Sequence, residues 1–182
     1  NFIGQLEYLA KVVEASPVAA KGGRVVHADA RSVDYSGVML ATDPPYYDNV
    51  PYSDLSDFFY PWLRRALRPV HPELFGTMLS PKENELVADS TRQGSATAAE
   101  EFFLAGMSDV FQRISTSVTH QYPVTVFYAF RQAEKSEEGR WSTGWEVFLQ
   151  ALLDSGLSIR GSWPVRTELT GNLKKNWNAL AS

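Results

Sequence analysis

The chain has 182 residues, 44% hydrophobic and 13% aromatic, which is enough for one domain with a real core and too apolar for a disordered segment. Its formal net charge of −4 argues against a surface that coats nucleic acid along its length, because such surfaces need clustered Lys and Arg to displace counterions; nucleic-acid binding must be local or supplied elsewhere. With no cysteine, with His27, His71 and His120 far apart, and with no apolar stretch near the ~20 residues that span a bilayer, disulfides and thiolate zinc sites are excluded, no metal is expected, and a cytoplasmic chain without a membrane partner is.

Phe2, Ile3, Leu6, Leu9, Val12 and Val13 recur at helical spacing, and Pro17 with Gly22-Gly23 marks the exit. Val25 to Ala28 reads as a short strand closing on Asp29-Ala30-Arg31, and a turn through Asp34 and Gly37 leads to a second strand, Val38 to Thr42. Parallel pairing of these two needs a longer crossover than the sequence between them provides. Ser53 or Asp54 is placed to cap a helix with Leu55, Phe58, Phe59, Trp62, Leu63 and Leu67 on one face, which Pro61 should kink or split. From 68 to 96 there is little periodicity and three prolines, Pro69, Pro72 and Pro81; a connection of this length is expected to be a lid, a binding loop or disordered. Thr97 starts a strong helix carrying Phe102, Phe103, Met107, Val110, Phe111, Ile114 and Val118. Tyr122 to Phe130 reads as a strand, 131–140 as a solvated loop, Trp145 to Leu152 as a helix stopped by Ser155-Gly156, and Leu157 to Trp163 as a last strand. The alternation predicts an α/β fold with a mostly parallel sheet and flanking helices.

Chemistry concentrates where Val38-Met39-Leu40-Ala41-Thr42 stops at Asp43-Pro44-Pro45-Tyr46. Paired prolines end the strand because neither donates to a ladder, and an acid and a ring at a strand's carboxyl end face the crevice where α/β sheets bind ligands. A rigid turn with Tyr46 packed as core is the plain structural alternative. Asp-Pro-Pro-Tyr after an apolar strand resembles the catalytic motif of the S-adenosylmethionine-dependent amino methyltransferases, which methylate the exocyclic nitrogen of adenine or cytosine in DNA. The resemblance implies an incomplete Rossmann-like class I methyltransferase fold, with adenine N6 in DNA as the expected target. A conjugated exocyclic amine is a poor nucleophile, and two acceptors around its N–H bonds favour the pyramidal form with a localised lone pair. Asp43 would provide one through its carboxylate and Pro44 the other through its carbonyl, whose direction Pro44 and Pro45 fix. Tyr46 would stack on the extruded base. Tyr47, Asn49 and Tyr52 either continue that wall or pack the loop.

The resemblance also assigns Asp29, with the small Ala30 after it, to the amino group of the cofactor's adenine, against a plain turn-forming role for Asp29; Asp43 borders the cofactor as well. Lys82 and Arg92 are candidates for phosphate or the cofactor carboxylate, against a solvated loop balanced by Glu73, Glu83, Glu85 and Asp89. The family's glycine-rich turn, Phe-x-Gly-x-Gly, is not found in the chain. The run from Asp43 to Arg65, together with Ser80 to Asp89, is similar to the large adenine-specific DNA methylase homologues that carry a domain of unknown function at their amino end. That similarity, with an opening that lacks Met, implies that residues 1–182 are the catalytic part of a longer polypeptide, with the glycine-rich cofactor loop upstream and most DNA contacts elsewhere. Methylation of RNA or of a protein amide, and a non-catalytic methyltransferase-like module, are the rival expectations.

Overall fold

The computed structural model describes residues 2–16, 23–48, 50–128 and 143–163; the solvated loop expected at 131–140, Asn49 and the tail from 164 lie outside them. In chain order the elements are α1 (Phe2–Ala15), β1 (Ala41–Thr42), α2 (Tyr52–Ser56), α3 (Tyr60–Leu67), α4 (Ser90–Gln93), α5 (Ala96–Ser117), β2 (Thr125–Val126) and α6 (Thr143–Asp154). β1 and β2 pair in parallel, with Ala41 opposite Thr125 and Thr42 opposite Val126. Thr125 N–H donates to Leu40 O at 3.0 Å and Phe127 N–H to Thr42 O at 2.8 Å. A parallel pair needs a crossover, and here it runs from α2 to α5. The fold is thus mixed helix and parallel strand, compatible with the α/β class, with a two-stranded sheet among the described residues. No helix among them is long and apolar enough to cross a membrane.

The core lies where α5 and α6 cover the strands. Ser95 caps α5 by accepting from Ala98 N–H at 3.1 Å. Along the next turns Phe103, Met107, Val110, Phe111 and Ile114 fall on one face and are buried. Phe148 meets Phe111 edge-on at 5.4 Å, and Val147 and Ala151 complete the α6 side. Each of these large side chains contributes roughly 1.5–3 kcal/mol by leaving water. Leu40, Val124 and Val126 pack against this cluster from the strands. Gly106 lets a further layer approach: a Cβ there would stand 2.2 Å from Leu86 Cδ2.

Several sequence expectations change. Val25 to Ala28 pairs with nothing among the described residues, and Val25 is fully exposed, because an extended segment without a partner backbone forms no ladder. Among the described residues, pairing in the second and third predicted strands contracts to two residues each. Pro123 has no N–H to give, and Tyr122 points to solvent. Leu157 to Trp163 is likewise unpaired among the described residues.

Pro61 does split the 52–67 helix, standing in the first turn of α3. Neither Ser53 nor Asp54 caps α2, whose N-cap is Pro51 without a side-chain bond. The expected apolar face is not the buried one: Leu55, Phe58, Phe59, Trp62 and Leu63 are all exposed. Instead Tyr60 turns inward, stacks at a tilt on Phe75 at 5.6 Å, and shares a 2.9 Å hydrogen bond with Thr77 Oγ1. Its partners come from the 68–80 segment, which no periodicity marks.

Candidate functional site

Asp43, Pro44, Pro45 and Tyr46 follow β1 directly, at its carboxyl end. Asp43 is exposed and the next three residues are half-buried. The Tyr46 ring stands edge-on to Tyr52, at 6.4 Å, and to Tyr128, at 6.0 Å. Burial, with the carboxylates of Asp43 and Glu85, pushes the Tyr52 phenol up, against the opposing pull of the Tyr46 backbone N–H. Asp43, Tyr46 and Tyr52 are therefore one neighbourhood. Tyr128 belongs to it too. It stacks on Phe148 at 4.0 Å and on Trp145 at 5.8 Å, accepts from Tyr47 N–H at 3.4 Å, and its phenol is pushed up to about 12, chiefly by burial. Tyr128 is a site residue that no motif marks. Its signal is the alternation Val124, Val126, Tyr128, which puts it on the inner face of β2, two residues past the last paired one.

Tyr47 points the other way, edge-on to Phe103 at 5.1 Å. Its carbonyl accepts from Ala88 N–H at 2.7 Å, and a Cβ on Gly144 would come within 2.8 Å of its ring. Of the two readings open for Tyr47, the geometry is that of loop packing. Burial, then Glu100 and Asp48, push its phenol up.

The 80–92 segment is clamped to α2 by charge. Arg92 reaches Glu85 at 2.7 Å, Asp54 at 2.5 Å and Asp89 at 3.3 Å. Glu85 accepts from Ser53 N–H at 2.9 Å and Ser53 Oγ at 2.5 Å. Burial alone would raise the Glu85 carboxyl, but Ser53 and Arg92 hold it below the usual glutamate range. Lys82 pairs with Asp57 and lies 3.8 Å from Asp54. Asp57, held low by Lys82 and the Ser80 N–H, accepts from that N–H at 2.8 Å. Lys82 and Arg92 are thus neutralised by acids of α2, the α2–α3 turn and their own loop, and Lys82 does not project toward the Tyr46 cluster as a free cation. The 80–92 segment is an anchored layer, with Leu86 and Val87 buried beneath it, and not the solvated loop weighed as the plain alternative for Lys82 and Arg92.

Asp29 forms a turn. Its carbonyl accepts from Ser32 N–H at 2.9 Å, and both carboxylate oxygens accept from Arg31, by its backbone N–H at 2.9 Å, Nε at 3.0 Å and Nη2 at 2.6 Å. These bonds hold the carboxyl down at about 2. Ala30 O accepts from Tyr35 Oη at 2.8 Å, and Arg31 Nη2 continues to Asn84 Oδ1 at 3.2 Å. The structure therefore assembles Asp43, Tyr46 and Tyr52 with Tyr128, and leaves Tyr47 in the core and Lys82 and Asp29 in ion pairs. No protein-family model, curated protein or solved structure matches the chain.

Proposed function

We propose that this chain carries the amine-orienting part of an S-adenosylmethionine-dependent methyltransferase acting on an exocyclic amino nitrogen of a nucleobase, adenine N6 in DNA. The observation that carries this reading is the pairing of Asp43 and the Pro44 carbonyl, at the carboxyl end of a strand, with the Tyr46–Tyr52–Tyr128 ring cluster. Asp43 accepts one N–H of the amine and Pro44 O the other, so that the nitrogen lone pair is localised and points away from both. Tyr46 offers its face to the base, worth ~1–3 kcal/mol per stacked base. Tyr52 and Tyr128, edge-on to Tyr46, fix that face in direction. Asp43 is exposed, and it can hold the proton that the amine releases on methylation and pass it to water.

The methyl donor, when bound, supplies an electrophilic methyl group. Of the residues present, Asp29 has the right chemistry for an adenine amino group, but both of its oxygens are engaged by Arg31. A donor at this position takes the place of Arg31. That ion pair favours a second reading, a methyltransferase-like module that binds a base without transfer.

Labelled methyl transfer from S-adenosylmethionine to DNA, by the protein carrying this chain and by its Asp43→Ala variant, separates the two. Loss of one electrostatic partner at the reacting centre is expected to lower transfer by about 10²–10³-fold. Equal incorporation by both proteins refutes the mechanism, and no incorporation by either leaves the binding module.

A further inference from the structure

Three of the cationic residues that form no ion pair among the described residues gather at one place. Arg64 and Arg65 close α3, Arg68 follows it, and the three, with Pro61, Pro69 and Pro72, line an open notch of about 600 Å³. None of the lining residues is an acid. The nearby Glu73 faces His71, at 3.6 Å. Arg64 is oriented by donating from Nε to Thr77 O at 2.7 Å, while among the described residues Arg65 and Arg68 form no ion pair. Basic residues suit a helix C-terminus, and that alone would explain one of them. Three arginines share the lining of this notch without an acid among them, whereas Lys82 and Arg92 are both ion-paired. An anion is the complementary charge for such a lining.

Two features identify the anion as a nucleic-acid backbone rather than an acidic polypeptide. Guanidinium forks match phosphate in geometry as well as charge. The same stretch also holds aromatic rings out to water, with Phe58 at 73%, Phe59 at 61% and Trp62 at 72% exposure. Trp62 lies one turn from Arg65, so ring and cation share a helix face. Exposed aromatics interleaved with arginines are the means by which proteins stack bases while tracking phosphates.

We infer that the α3 notch, with Arg64, Arg65 and Arg68 around it and Trp62 beside it, is a docking surface for the phosphate backbone of the nucleic acid. The choice of nucleic acid leans on the function proposed above, and the surface extends that reading by locating a DNA contact on this chain.

The test is fluorescence anisotropy of the protein with short labelled DNA, duplex in one arm and single strand in the other, across a salt series. Arg65→Gln/Arg68→Gln is expected to weaken binding at least about tenfold at low salt and to flatten the log–log salt dependence by about 1.8 for duplex, or about 1.4 for single strand. Lys11→Gln/Arg24→Gln removes the same net charge from elsewhere and is expected to leave binding nearly unchanged. Arg65→Lys/Arg68→Lys retains most of the salt slope, and circular dichroism verifies that every variant is folded. An unchanged affinity in Arg65→Gln/Arg68→Gln overturns the inference, as does an equal loss in the Lys11/Arg24 variant. Competition by poly-aspartate as effective as that by unlabelled DNA also overturns it. Methyl transfer serves as a separate readout: arginine-dependent DNA binding by a protein with no transfer sinks only the catalytic reading, while transfer with arginine-independent binding sinks only this one.

Discussion

Removing the Arg92 guanidinium is predicted to cost more stability than the loss of an exposed ion pair. Arg92→Ala deletes contacts of 2.7 Å to Glu85, 2.5 Å to Asp54 and 3.3 Å to Asp89. Asp54 is 48% exposed, so its share is small. Glu85 is different: its side chain is 13% exposed, and without Arg92 it keeps only the Ser53 N–H and hydroxyl. A charged hydrogen bond is worth about 1.5–3 kcal/mol, and breaking a fully buried pair costs about 3–5 kcal/mol. Glu85 lies between these cases, so a loss of about 2–3 kcal/mol is expected.

The pH dependence follows from the lowered Glu85 carboxyl. A group whose pKa falls on folding stabilises the fold above its unfolded value, near pH ~4.3, and loses that contribution as pH drops through the folded value. Urea unfolding of wild type, Arg92→Ala, Glu85→Gln and the double variant gives the coupling energy directly. We expect at least about 1 kcal/mol at neutral pH, decaying below pH ~4. A coupling under about 0.5 kcal/mol, the range of surface pairs, or one that does not decay in acid, refutes the argument.

Phe103 is fully buried, and Phe103→Ala is expected to destabilise by about 3–5 kcal/mol in the same urea assay; a loss below about 1 kcal/mol would remove Phe103 from the centre of the core. Tyr128, with its phenol pushed up to about 12, chiefly by burial, should give a late component in an ultraviolet titration of the protein. The late component should vanish in Tyr128→Phe, and its persistence there would assign it to another ring.

What the sequence made legible was what a single periodicity encodes. α5 and α6 follow from apolar residues three and four apart, and Pro61 breaks α3 from α2 because of its own ring. The carboxyl-end position of Asp43 followed from a short apolar run and two prolines. Pairing was less legible, since ladder length depends on a partner backbone that lies 84 residues on, at Thr125 opposite Ala41. The 68–96 stretch misled because its order comes from single residues in unrelated positions. Tyr60 finds Phe75, Arg92 finds Glu85 and Asp54, and Leu86 enters the gap above Gly106. None of these contacts has a period. The apolar residues of α2 and α3 misled in the opposite sense, because a face at helical spacing says that something covers it, and not that this chain does.

On the function proposed above, anchors on either side let Asp43 to Tyr46 serve as a positioning device. On the strand side Thr42 O is fixed by Phe127 N–H, and on the other side Tyr47 is fixed twice, by its ring on Phe103 and by its carbonyl on Ala88 N–H. Only Asp43, Pro44, Pro45 and Tyr46 lie between, and two of those four have a φ locked by their own rings. Five residues later α2 is clamped again, through Ser53 and Asp54, to the same 85–92 segment that supplies Ala88. Loss of the Glu85–Arg92 clamp should therefore be felt at Tyr52, and through Tyr52 at the Tyr46 ring, before it is felt at Asp43. If Asp43 and Pro44 orient an amine as proposed, distance from it does not exempt such a residue, because an acceptor pair held by its neighbours loses its geometry when they loosen.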